Sequence, residues 1–241
     1  MSNITIKGQT IYGVNPIVSD SLLLYLDAGN NKSYSGSGST WTDLIQNNNA
    51  TLTNTTFNSS NGGNLVFNGS TSFIITNSFK TVSSGSNVNN NTTNEIWYKW
   101  NAVNQLGVIT YVGQGSSNGY LGFLINNGTN SGVSGNKVSV IFGGEYFNAL
   151  DTGTTFATLT SNVWTQLVIT KTTSICKLYQ NGVFLGSTTK TQTSYTTTSP
   201  YQSAFFGGSL AVAKLYNRAL TDAEVLQNYN ALKGRFGLWA V

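Results

Sequence analysis

The stretch Ser209–Leu238, SLAVAKLYNRALTDAEVLQNYNALKGRFGL, decides the fold. Ser209–Tyr216 is a run of mostly apolar residues long enough for a buried strand. Asn217-Arg218 turns the chain, and Thr221-Asp222-Ala223-Glu224 has the spacing of a capping box, in which a threonine hydroxyl and a glutamate satisfy each other's backbone N–H. Val225, Leu226, Tyr229 and Leu232 then recur at helical spacing, and Gly234 is placed to end the helix. One short helix therefore closes a chain whose remaining pattern is β.

Upstream, short β-type runs alternate with Gly/Asn/Ser turns. Expected strands include Leu22–Leu26, Asn64–Phe67, Ser72–Thr76, Glu95–Trp100, Gly107–Val112, Lys137–Phe142, Val163–Lys171, Ser174–Gln180 and Val183–Thr188. Asn181-Gly182 is a strong hairpin turn, because both residues accept the positive φ of a type I′ turn. The pattern predicts an all-β antiparallel jelly-roll sandwich. Its domain is expected over residues 20–238, after an extended arm of residues 1–19 and before a tail of residues 239–241.

Composition removes several function classes. Of 241 residues only 8% are charged, far below the roughly 25% of an average soluble domain. The net charge of +4 is scattered, and no basic stripe exists to neutralise phosphates, so no nucleic-acid partner is expected. No apolar run approaches the ~20 residues of a membrane span, and no export signal opens the sequence. Histidine is absent, which removes imidazole bases and imidazole metal ligands. The single cysteine, Cys176, lies in an apolar strand pattern and reads as a small buried hydrophobe.

The eight carboxylates bear on catalysis and on metal binding. Glycoside hydrolysis needs two positioned acids, and no strand carries a pair at i, i+2 on one face. Calcium needs about six oxygen ligands with several acids among them. Asp27-Ala28-Gly29-Asn30-Asn31 only superficially resembles such a loop, and Asp27 is expected to cap its own turn. No catalytic residue and no cofactor is therefore expected. Sugar binding is better supported: alternation in Glu95–Trp100 puts Glu95, Trp97 and Lys99 on one face and Ile96, Tyr98 and Trp100 on the other. If the apolar set faces the core, Trp97 is available to stack on a sugar, flanked by Glu95 and Lys99.

Four segments together resemble the laminin-G-like, or concanavalin A-like lectin/glucanase, superfamily in the version found in tailed-phage structural proteins. They are Leu23–Asn30 with Trp41–Leu44, Gly62–Gly69, Asn162–Trp164 with Lys177–Gly182, and the endings Leu215–Leu220 and Lys233–Leu238. The resemblance departs where the family's acidic block reads Asn68-Gly69-Ser70-Thr71-Ser72, and where acids before the final strand are replaced by Ala211 and Val212. It implies a non-enzymatic virion protein assembled in the host cytoplasm, a capsid decoration or fibre component. Its partners would be capsid or fibre proteins and further copies of itself. A carbohydrate-binding adhesin is the alternative. Attachment is expected through the alternating arm residues Ile4, Ile6, Ile11 and Tyr12, adding a strand to a neighbour, and through Trp239 in the tail.

Overall fold

The computed structural model describes residues 4–6, 9–11, 16–76, 91–101, 107–112, 121–125, 136–142, 145–147, 157–172, 174–189, 201–204 and 206–238. Two antiparallel sheets pack face to face. In the first, the strands run in the order Val183–Thr188, Cys176–Gln180, Trp164–Lys171, Thr92–Trp100 and Gly207–Tyr216. The far edge of Gly207–Tyr216 is shared by Asn64–Asn68 and Leu22–Asp27, and Thr56–Asn58 lies beyond Asn64–Asn68. The second sheet runs Glu145–Phe147, Lys137–Phe142, Leu121–Ile125, Gly107–Val112, Tyr201–Ala204, Phe73–Thr76, Ala50–Thr53 and Thr40–Trp41. Ala157–Thr158 also pairs with Lys137–Phe142. The predicted antiparallel sandwich is the observed one.

Alternation builds the core. Leu24, Leu26, Phe67, Ile96, Tyr98, Leu167, Ile169 and Leu215 of the first sheet meet Trp41, Leu52, Ile74, Phe123, Val140 and Tyr201 of the second. Cys176 is fully buried among them, and burial pushes its thiol up to about 12, so it is a protonated core group.

The helix α1 spans Asp222–Leu232 and starts as the sequence predicts: Thr221 Oγ1 accepts from the Glu224 N–H at 3.3 Å, and Glu224 Oε2 accepts from the Thr221 N–H at 2.8 Å. Its end differs. Gly234 does not stop it; a 3-10 turn over Lys233–Phe236 continues the chain, and Gly237, at φ 73°, closes it with an N–H to the Gly234 carbonyl. The extension carries Phe236 down onto the first sheet. The buried stripe of α1 also differs: Val225 and Asn228 are buried, whereas Leu226 is exposed. No described helix is long and apolar enough to cross a membrane.

Within the expected N-terminal arm, Ile4–Ile6 pairs antiparallel with Gln9–Ile11, with Ile4 opposite Ile11. The alternation read as a donated strand is thus met by a partner in the same segment. Pro16 to Val18 is tied to α1: Val18 N–H donates to Asn228 Oδ1 at 2.8 Å, and Gln227 Nε2 donates to the Pro16 carbonyl at 2.8 Å. Tyr12 and Trp239 lie outside the described residues.

Candidate functional site

Of the three outward positions on the Thr92–Trp100 strand that the alternation identified, Glu95 and Trp97 hold the C-terminal segment and Lys99 lies beside it; Thr93, one step earlier on the same strand, joins them. Thr93 Oγ1 donates to the Arg218 carbonyl and accepts from the Leu220 N–H. Glu95 Oε2 accepts from Asn228 Nδ2 at 2.6 Å. The Trp97 ring stacks with Phe236 at 4.3 Å and with Tyr229 at 5.8 Å between centroids. Lys99 Nζ stands 5.2 Å over the Trp164 ring. The alternation was correct, but α1 and its 3-10 extension cover the face it defines. Trp97 and Glu95 are fully buried, and Trp97 has no ring face free for a sugar. Lys99 is half-buried beside them. The expected glycan platform is instead the docking floor of the C-terminus.

One residue missed in the sequence joins the recognisable segments. Arg235 Nη1 lies 2.6 Å from Asp27 Oδ1, its Nε donates to the Asn61 carbonyl at 2.7 Å, and its Nη2 donates to the Gly63 carbonyl at 2.6 Å. Asn61 Oδ1 in turn accepts from the Trp164 indole N–H at 3.0 Å. The opening segment, the Gly62-Gly63 block, Trp164 and the C-terminal ending therefore converge on one guanidinium. Gly63 is required here: its φ is +120°, and a Cβ would stand 2.5 Å from the Ala28 carbonyl oxygen.

Each of the six carboxylates with a described side chain is fastened to the scaffold. Asp20 meets Arg218 Nε at 2.8 Å. Asp27 caps its own turn through the Gly29 N–H at 2.8 Å besides binding Arg235. Asp43 accepts backbone N–H groups from Tyr25, Ile45, Gln46 and Asn48. Glu95 pairs with Lys214, and Asp222 takes Lys177 Nζ and the Tyr179 hydroxyl, each at 2.8 Å. Glu224 holds Arg218 through both oxygens, at 2.8 and 2.6 Å. Asp151 and the Glu145 side chain lie outside the described residues. Among the described residues, no three acids or thiols are grouped to hold a metal ion. In the block where the family's acid is replaced, Asn68 Oδ1 accepts the N–H groups of Ser70, Thr71 and Ser72, so a neutral amide organises that turn.

Glu224 gives the fold an acid-sensitive element. The Arg218 hydrogen bonds hold its carboxyl at about 2, against an ordinary 4.5. The folded value is the lower one, so the ionised group stabilises the fold above about pH 4.5, and this contribution disappears as pH falls toward 2. Urea unfolding followed across this window should show declining stability, with a shallower decline in Glu224→Gln.

The second sheet presents a different outer face. At the end bounded by Thr40–Trp41, Thr51 stands opposite Ile75, and Thr53 opposite Phe73. Phe73 is 39% and Ile75 36% exposed, so two large apolar side chains lie together on this face. Thr40, opposite Thr51, and Thr51 itself are also exposed. Backbone register carries the same row on through Gln202 to Tyr111. Farther along the sheet, Leu124 is buried. The Thr40–Trp41 end combines two apolar side chains with neutral hydroxyls, and none of these residues is charged.

An antiparallel sandwich whose first sheet carries the C-terminal helix and its 3-10 extension resembles several solved structures. Domain 4 of AbnA, an extracellular arabinanase of Geobacillus stearothermophilus solved with arabinotriose, superposes with a TM-score of 0.64 at 18% identity, over 87% of this chain and 98% of that one. The binding domain of Paraclostridial Mosquitocidal Protein 1 gives 0.62 at 18% identity, over 88% of this chain and 52% of that one. The binding domain of botulinum neurotoxin serotype D/C gives 0.65 at 13% identity, over 88% of this chain and 52% of that one. The chain thus spans about half the length of the two toxin domains. A sequence search of curated proteins finds no significant relative. The family model described as the concanavalin A-like lectin/glucanases superfamily, of the laminin G type, matches residues 75–226. The chain belongs to that superfamily.

Proposed function

We propose that the chain is a non-catalytic carbohydrate-binding module whose contact surface is the open end of the second sheet, around Thr51, Thr53, Phe73 and Ile75. The observation that carries this reading is the fastening of every described carboxylate to an N–H, an arginine or a lysine. Two-acid glycoside chemistry needs a free acid and a free base or nucleophile flanking the bond, and those six acids are held elsewhere. An exposed aromatic ring among hydroxyls suits the apolar faces and hydroxyl rims of a neutral oligosaccharide. The arabinotriose-bound AbnA domain, which shares the fold, supports the same reading.

The expected result on an array of neutral plant and bacterial oligosaccharides is binding by the wild type and at least tenfold weaker binding by Phe73→Ala. Phe73 is 39% exposed, so the substitution should cost less stability than truncating a core aromatic, and the variant's unfolding midpoint shows that it is folded when binding is compared.

A narrower reading places this module on a tailed-phage particle, as a capsid decoration or fibre component. The endings Leu215–Leu220 and Lys233–Leu238 support it through their resemblance to phage structural proteins, and the 8% charged content suits a densely packed array. Attachment to capsid or fibre proteins would use the N-terminal hairpin with Ile4, Ile6 and Ile11, together with Tyr12 and Trp239.

A further inference from the structure

A group of buried polar side chains between the first sheet and α1 brings a lysine amine and an asparagine carboxamide to one glutamate. Lys214 and Glu95 stand opposite each other on neighbouring strands, and both side chains are fully buried. Lys214 Nζ lies 2.8 Å from Glu95 Oε1 but off the direction of a hydrogen bond, so its hydrogens have no well-aimed acceptor. The other oxygen of that carboxylate, Oε2, accepts from Asn228 Nδ2 at 2.6 Å. An amine and a carboxamide are thereby seated on the two oxygens of one carboxylate. Gln166 Nε2 also donates to Glu95 Oε1 at 2.9 Å and fixes its plane.

Asn228 is held just as firmly. Its Oδ1 accepts the Val18 N–H at 2.8 Å, and its Nδ2 also donates to the Tyr216 hydroxyl at 2.9 Å, which itself donates to the Val18 carbonyl at 3.0 Å. A backbone N–H therefore already points at the oxygen on which negative charge would develop if the carboxamide carbon were attacked. Lys214, Glu95 and Asn228 are all fully buried, so water cannot readily compete as nucleophile.

We propose that Lys214 and Asn228 become joined by an intramolecular amide bond, with Glu95 carrying the protons. Glu95 takes one proton from the Lys214 ammonium, and the freed lone pair attacks Asn228 Cγ. The C=O electron pair moves onto Oδ1, beneath the Val18 N–H. Glu95 passes its proton to Nδ2, then accepts a second from the former amine as the C–Nδ2 bond breaks. The leaving ammonia takes that proton and departs as ammonium, returning Glu95 to its carboxylate. One C–N bond forms, one breaks, and nothing is oxidised or reduced. The product fastens α1 covalently to the strand Gly207–Tyr216.

Intact-mass spectrometry of the full chain, unfolded in acid, is the test. The expected mass is one ammonia below that of the sequence, after allowing for removal of Met1. Trypsin should fail to cut after Lys214, and fragmentation should show a branched peptide joining Lys214 to Asn228. Glu95→Gln should keep the full mass; if that variant does not fold, the wild-type branched peptide decides alone. A wild type of full sequence mass would overturn the proposal. So would an ammonia loss that maps to an Asn-Gly succinimide, such as Asn61-Gly62 or Asn181-Gly182.

Discussion

Arg235→Ala should lower stability by roughly 3–5 kcal/mol, read as a shifted midpoint in urea unfolding with an unchanged slope. The guanidinium is mostly buried, makes a 2.6 Å ion pair with Asp27, and donates to two backbone carbonyls in the Asn61–Gly63 turn. Alanine strands a largely buried carboxylate and leaves both carbonyls without this donor. Arg235→Lys should recover only part of the loss, because a point charge cannot reach three acceptors in a fan as the planar guanidinium does. A midpoint unaffected by either substitution would show that the converging segments are held by packing alone.

The second large effect is expected at Lys214. Lys214→Met removes the amine that would join Asn228 and, with it, the cation that accompanies Glu95 before that bond forms, leaving a fully buried carboxylate with only the Gln166 and Asn228 amides. Uncompensated charges of this kind cost about 3–5 kcal/mol. Adding Glu95→Leu should restore part of the stability, since replacing both members of a buried pair by apolar groups is often neutral. The urea midpoints of the single and double variants measure this directly. A double variant less stable than Lys214→Met would mean that Glu95 holds α1 down through Asn228 more strongly than its burial costs.

Much of this fold is legible in the chain. The strands Gly107–Val112, Lys137–Phe142 and Val183–Thr188 have the ends the pattern predicts, because turn residues bound them on both sides. The capping box is legible because its chemistry is local, within four residues. Thr40–Trp41, Thr56–Asn58 and Glu145–Phe147 are not, being two or three residues long and too short for any alternation to register. The start of the central strand at Thr92 is hidden for another reason: the expected strand begins only at Glu95 because polar residues precede it, yet Thr93 is buried by its hydrogen bonds to the turn before α1.

The site was legible only in part. Alternation fixes which residues share a face of the Glu95–Trp100 run, but it carries no information on what lies over that face. Trp97 is a platform for Phe236 and Tyr229, residues more than a hundred positions away. The clue was in the helix: the apolar spacing included Leu226, which is exposed, while the buried position is the polar Asn228. A buried asparagine on an otherwise apolar helix stripe needs polar partners opposite, and Glu95 is one. Phe73 and Ile75 escaped notice because apolar residues in a strand are read as core by default.

The measurement closest to the central claim is an amide chemical-shift titration of the isotopically labelled chain with an oligosaccharide identified on the array. The account predicts saturable shifts grouped at Thr51, Thr53, Phe73 and Ile75, with Trp97, Glu95 and Asn228 unmoved beneath α1. Shifts grouped instead around α1 and the Lys233–Phe236 turn, or none with any oligosaccharide, would contradict it.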